Sequence, residues 1–180
     1  PTSGWHTAGQ SVLLTALPAS YYHCSAWLGD TDGSTIDGVF LTLPMTRPRN
    51  VVAMFEANLT PTHHVPEIWL AAHGWTKDFE AAAEGDADND GMATWKEWRT
   101  DTDPTNSLSL LTITRLVKTN ITTRLSWVGG VAYTQIVEYA ASPAGPWQGL
   151  FTNLPPTPVT NLFKTSLQLG NPVFYRITVP

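Results

Sequence analysis

From Ser107 onward, short apolar runs recur about every ten residues: LLTITRLV, TRLSWVG, VAYTQIVEYA, GPWQGLF, TPVTNLF and PVFYRITV. Turn formers such as GG, SPAGP and LPPTP separate them. A helix needs an unbroken 3.6-residue period over ten or more positions, and these breaks deny it. Short strands at this spacing fold as an antiparallel β-sandwich. In the last run Val173, Tyr175, Ile177 and Val179 share one face and Arg176 and Thr178 the other, the pattern of a half-buried strand. Trp127, inside an alternating strand, is expected in the core.

Strand character returns in residues 1–58. SVLLTA sets Val12, Leu14 and Ala16 against Leu13 and Thr15, VFLTL places Val39, Leu41 and Leu43 on one face, and VVAMF does the same for Val51, Ala53 and Phe55. Cys24 reads as a small apolar core residue. As the sole cysteine, it excludes an internal disulfide and a multi-cysteine metal site. NLTPTHHVP, residues 58–66, reads as a linker.

The middle of the chain differs in charge as well as pattern. Residues 1–58 carry 2 basic and 4 acidic groups, residues 59–106 carry 3 and 10, and residues 107–180 carry 5 and 1, giving −2, −7 and +4 and the net −5. That balance argues against a nucleic-acid partner. There is no run of 18 apolar residues, so no membrane-spanning helix is expected. The opening PTSGW carries neither Met nor a signal-like stretch, and the expectation is a processed product or a fragment.

Helical signals concentrate between the two β regions. PEIWLAAHG has Pro66 placed for a first turn and Gly74 for a stop, with Trp69 and Leu70 to pack inward. In TWKEW, Trp95 and Trp98 lie three apart on one helical face, and DTDPTN predicts a helix end at Pro104. Before them stands EGDADNDG. A calcium loop needs oxygen ligands at positions 1, 3 and 5, glycine at 6, a backbone carbonyl at 7 and a bidentate carboxylate at 12. Asp86, Asp88, Asp90, Gly91, Met92 and Glu97 fill those positions. Thr94, at position 9, could add an oxygen directly or through water. Asp101 and Asp103 either extend the cluster or form a solvated turn. The expected role of Ca²⁺ is structural, because sensor loops work in pairs around a Met-rich groove and this chain has three Met and one complete loop.

These residues carry three resemblances. DADNDGMATWKEWRTDTDPTN resembles the thrombospondin type 3-like calcium loops of long secreted bacterial proteins. Residues 4–57 resemble the divergent internalin-type B repeat, through GWHTAG, TALP, Trp27-Leu28-Gly29-Asp30 and the final AMF. Cys24 stands where that family usually has Phe, and the family's opening strand would precede PTSGW. Residues 107–180 are similar to fibronectin type III-like modules in Trp127, VEYAAS, GPW and FYRI. The resemblances imply a mainly β chain: a small β-grasp-like repeat (1–58), a linker and helical EF-hand-like segment (59–106), and a fibronectin III/Ig-like β-sandwich (107–180).

No catalytic frame accompanies this layout. G-x-S-x-G and phosphate-cradling loops are missing from the sequence, and the histidines at 6, 23, 63, 64 and 73 show no metal-ligand spacing. The expectation is a non-enzymatic structural or adhesive segment of an extracellular or cell-surface bacterial protein, stiffened by calcium. Two alternatives stand beside it. One is a filament subunit that self-associates by strand donation. The other is an accessory tail of a secreted hydrolase, joined to upstream domains, that binds polysaccharide by stacking on Trp5, Trp75 or Trp147.

Overall fold

The computed structural model describes residues 4–166 and 173–180. Pro172, the first residue of the last expected strand run, lies outside them. The chain is mainly β, with eleven strands in small antiparallel sheets and three short helices among the described residues. It divides into two compact units, Pro1–Phe79 and Glu80–Pro180.

In the first unit, β1 (Ser11–Thr15), β3 (Thr35–Asp37) and β4 (Phe40–Pro44) form one sheet in the order β1-β4-β3, and β2 (Tyr22–Gly29) pairs with β5 (Val51–Ala57). The period-2 pattern sends alternate residues inward: Ala16, Trp27, Leu41 and Leu43 are buried together. Leu14, Cys24, Val39, Met45, Val51 and Ala53 pack against them. Phe55 has the same parity as Val51 and Ala53. It lies opposite Cys24, beyond a bulge in β2 between Cys24 and Ala26, and stays 40% exposed.

The Trp-x-Gly-Asp stretch has a mechanical reading. Trp27 fills the core, and Gly29 takes φ 93° where a Cβ would overlap the Asn50 carbonyl. The next residue locks the crossing. Asp30 N–H donates to Asn50 O at 2.8 Å, while Asp30 Oδ2 accepts the Asn50 N–H at 3.1 Å. Arg47 reaches Asp30 at 3.0 Å and Asp32 at 3.4 Å. The Asn50 N–H, and then Arg47, hold the Asp30 carboxyl below its ordinary range.

Residues 58–66 close on themselves. Leu59 bridges Pro66, and the buried Thr60 accepts the Val65 N–H on its hydroxyl at 3.0 Å, which lets Val65 itself be buried. Helix α1 (Glu67–Ala72) follows, with Pro66 at its N-cap, Leu70 buried and Gly74 at φ 104° past its end.

The second unit holds α3 (Thr94–Thr100) and six strands, and α2 (Phe79–Glu84) spans the boundary. Strands β6 (Thr112–Lys118), β7 (Thr123–Val128) and β10 (Thr160–Thr165) form a sheet in the order β10-β7-β6. Strands β8 (Gln135–Ala140), β9 (Gln148–Asn153) and β11 (Phe174–Thr178) form another, β11-β8-β9. Leu125 and Trp127 of one sheet and Val137 of the other make the buried core, with Ile113, Phe163, Tyr175 and Ile177 packed on it. This is sandwich packing, with the inward residues of two sheets sharing one core.

Helix α3 ends earlier than Pro104. Asp101 takes the left-handed conformation (φ 56°), and the N–H groups of Asp101 and Thr102 bond back to Trp98 O and Glu97 O. The stop is set by Asp101, whose side chain is engaged elsewhere in the unit.

Candidate metal centre

The loop between α2 and α3 is closed at its neck by Thr94 N–H donating to Gly85 O at 2.8 Å. Inside it the aspartates fold the backbone around themselves. Asp86 accepts the N–H of Asp90 at 3.2 Å and of Gly91 at 2.9 Å, and Asp90 Oδ1 accepts the Met92 N–H at 2.7 Å. Asn89 (φ 62°) and Gly91 (φ 93°) make the reversal that such close Asp spacing demands. As a result Asp86, Asp88 and Asp90 each bring a carboxylate oxygen within 4.8 Å of the others.

Glu97 arrives from α3. It and Thr94 are fully buried. Asp88 Oδ2, Asp90 Oδ2, Thr94 Oγ1 and both carboxyl oxygens of Glu97 are buried without a hydrogen-bond partner. Oxygens in that state each cost free energy unless something positive or donating meets them. Burial, and then the charges of Asp88, Asp90, Asp86 and Asp103, push the Glu97 carboxyl up to about 8. Partnerless oxygens are hard donors of the kind a calcium-type cation takes, and Asp88 and Asp90 are among the three residues whose carboxylates the loop brings together.

Of the five expected ligand residues, Asp86, Asp88 and Asp90 have their carboxylates brought together by the loop, and Glu97 is buried where their charges act on it. Met92, expected to contribute its carbonyl, directly follows the Gly91 turn, and its sulfur lies 3.7 Å from Thr100 Oγ1. Asp101 does not join the cluster: its Oδ2 accepts the Val131 N–H at 3.0 Å. Asp103 adds its charge to the field at Glu97 while its Oδ1 accepts the Thr105 N–H and hydroxyl.

What the sequence pattern does not reveal is how this segment is anchored. Gly130, in the β7–β8 loop, lies so close to Thr100 O and Asp101 that a Cβ would overlap both. Its carbonyl accepts Gln135 Nε2 at 2.7 Å and Thr157 Oγ1 at 3.0 Å. Gln135 Oε1 in turn accepts the indole N–H of Trp127 at 2.6 Å. The end of α3 is therefore tied through one loop to the centre of the sandwich.

Of the tryptophans weighed as sugar-stacking surfaces, Trp5 is fully exposed and Trp75 half-buried. Trp147 has one ring face covered by the Arg176 guanidinium at 4.4 Å.

The Glu97 shift has a testable consequence. Between its ordinary 4.5 and about 8, the folded cation-free chain holds a proton that the unfolded chain has released. The stability associated with Glu97 is thus full below the lower value and lost as pH rises through the upper one. Thermal melts of the chelated protein should give a midpoint that falls from about pH 5 to about pH 8. A rising or flat profile over that window contradicts this.

Comparison with known proteins places part of the chain. Residues 1–59 match the family model of the divergent InlB B-repeat domain, about a third of the 180 residues. Domains of this type occur in surface or secreted bacterial proteins. No curated protein and no solved structure matches the chain.

Proposed function

We propose that this chain is a non-catalytic structural segment of a bacterial surface or secreted protein, in which one calcium ion fixes the helical segment to the β-sandwich of Glu80–Pro180. The carrying observation is the set of partnerless buried oxygens on Asp88, Asp90, Thr94 and Glu97. Asp86, Asp88, Asp90, the Met92 carbonyl and bidentate Glu97 would hold the ion. Bound there, it would offset the burial and then the repulsion among carboxylates that together raise the Glu97 pKa. The resemblances to thrombospondin type 3-like loops and fibronectin III-like modules agree with this reading, and the B-repeat match supplies the surface setting.

Isothermal titration of the chelated chain with calcium tests it. One ion per chain is expected, with a dissociation constant of order 10⁻⁴ to 10⁻³ M, the range of extracellular modules. Absence of binding heat, together with an unchanged melting midpoint at millimolar calcium, contradicts it.

A second reading has its own observation. The β2–β5 sheet has two strands, so each lacks a further partner among the described residues, and Val52, Met54 and Phe55 of β5 are exposed. Strand addition by another copy would complete it and give filaments. Light scattering with calcium and with chelator separates the cases: a mass well above 19.7 kDa favours assembly, and a monomer in both favours the structural segment.

A further inference from the structure

The outer face of the β6-β7-β10 sheet is a cationic surface without a counter-charge. After Ser107 the chain has five basic residues and one acid, Glu138, and Glu138 is taken by Arg176 at 2.6 Å. Strand register fixes where the others lie. On β7, Leu125 and Trp127 point into the core, so Arg124, Ser126 and Val128 point out. Lys164 stands directly opposite Arg124 on β10, and Arg115 directly opposite Ser126 on β6. Arg115, Arg124 and Lys164 therefore share the outward face. All three are exposed, and none has a carboxylate partner among the described residues. Lys118, at the end of β6, pairs with the buried Thr123 and has the other parity.

This arrangement works against the sheet. Like charges directly opposite each other across a strand pair are destabilising. Cations on edge strands protect against edge-to-edge pairing, which accounts for Arg115 and Lys164. It does not account for Arg124, which sits on the central strand and faces Lys164. We propose that this face docks an anionic polysaccharide, a carboxylate-bearing glycan whose charges lie over Arg124, Lys164 and Arg115.

The rest of the face fits that occupant. Neighbouring strands are about 4.8 Å apart, so the three-strand face is roughly 10 Å across at the backbone, the width of a single polymer chain. Ser126 and Thr160 offer hydroxyls, and Leu162, Val117 and Val128 an apolar floor for sugar ring faces. A second copy of the chain is the competing occupant: Asp101 holds Val131 and Asp30 and Asp32 hold Arg47, but Asp37, Glu56 and Glu84 are exposed, so the test includes self-association as an outcome. The net charge of −5 weakens long-range attraction to every polyanion alike, so local contact with the face, and not steering, must carry the binding. The choice of a glycan rests on the surface setting proposed above; the existence of the cationic face does not.

Affinity electrophoresis of the full chain with calcium, in gels containing hyaluronate, tests the proposal, with neutral dextran, duplex DNA and anionic vesicles as parallel arms. Hyaluronate is expected to retard the chain and dextran not. The R124Q/K164Q variant should lose at least tenfold in affinity. Its log–log salt slope should shrink by between one and two, at roughly 0.7–0.9 for each ion pair with the polymer that the substitutions remove. K118Q should bind as the native chain does. The double variant should also melt at the same temperature or higher, since its like-charge pair is gone. Unchanged affinity in the double variant, equal retardation by dextran, or a lower melting midpoint overturns the proposal. A native-chain dimer that dissociates in the double variant overturns it in favour of self-association. Retardation by DNA or vesicles but not hyaluronate overturns the surface setting along with it, whereas no binding in any arm overturns the docking face alone.

Discussion

With calcium at about a hundred times its dissociation constant, the native chain should melt roughly 10–20 °C above its own calcium-free midpoint while the Glu97→Gln variant stays where it was, and without calcium the variant should be the more stable of the two. The first half follows from linkage. A ligand at that excess stabilises the folded state by about 2.7 kcal/mol, and in a unit the size of Glu80–Pro180 each kcal/mol moves the midpoint by roughly 4–8 °C. Glutamine keeps the volume of Glu97 but provides a single neutral acceptor where the loop requires a bidentate carboxylate. The second half follows from burial. In the cation-free chain Glu97 enters a partnerless site beside three aspartates and at neutral pH must take up a proton to do so, whereas glutamine is already neutral and needs none. Differential scanning calorimetry of both proteins, with calcium and with chelator, gives four midpoints. A variant that is less stable than the native chain under chelation shows that Glu97 serves packing rather than a cation. A native midpoint that calcium does not move shows that no ion is held there.

How much of this could be read beforehand depends on where the determining contact lies. The loop geometry was legible because it is local: Gly91 needs its left-handed φ whatever surrounds it, and the aspartates bond to backbone groups two to five residues away. The sandwich core was legible because period-2 alternation fixes which face is apolar, as Leu125, Trp127, Tyr175 and Ile177 show. The end of α3 was not. Asp101 is a non-glycine residue in the left-handed region, and what makes that stop worthwhile is the Val131 N–H thirty residues away. Gly130 beside it reads in sequence as half of a turn dipeptide. In the folded chain it is the space into which the end of α3 fits. The 58–66 stretch misleads for a related reason: its polar composition suggests a linker, but the Thr60 hydroxyl satisfies the backbone that allows Val65 to be buried.

Trp127→Ala is expected to cost about 3–5 kcal/mol, a large share of a domain stability that lies toward the lower end of the usual range of roughly 5–15 kcal/mol. The indole is fully buried between the sheets, so its removal loses the transfer free energy of the largest core side chain and opens a cavity. It also takes away the shorter of two donors to Gln135 Oε1, on a buried amide whose Nε2 bonds to Gly130 O and Thr157. Trp127→Phe separates the two effects. It keeps most of the ring volume and deletes the N–H, leaving Gln135 Oε1 with only the longer Asn153 hydrogen bond at 3.4 Å, at a cost of about 1–3 kcal/mol. Because Gln135 braces the carbonyl of Gly130, and Gly130 and Val131 receive the end of α3, Trp127→Phe should also weaken calcium binding several-fold although it touches no ligand. Urea unfolding gives the stability change and calcium titration the affinity change. A destabilised Trp127→Phe chain with native calcium affinity would mean that the loop holds its ion independently of the sandwich. The two changes moving together would mean that the loop, helix α3 and the sandwich fold and bind as one unit.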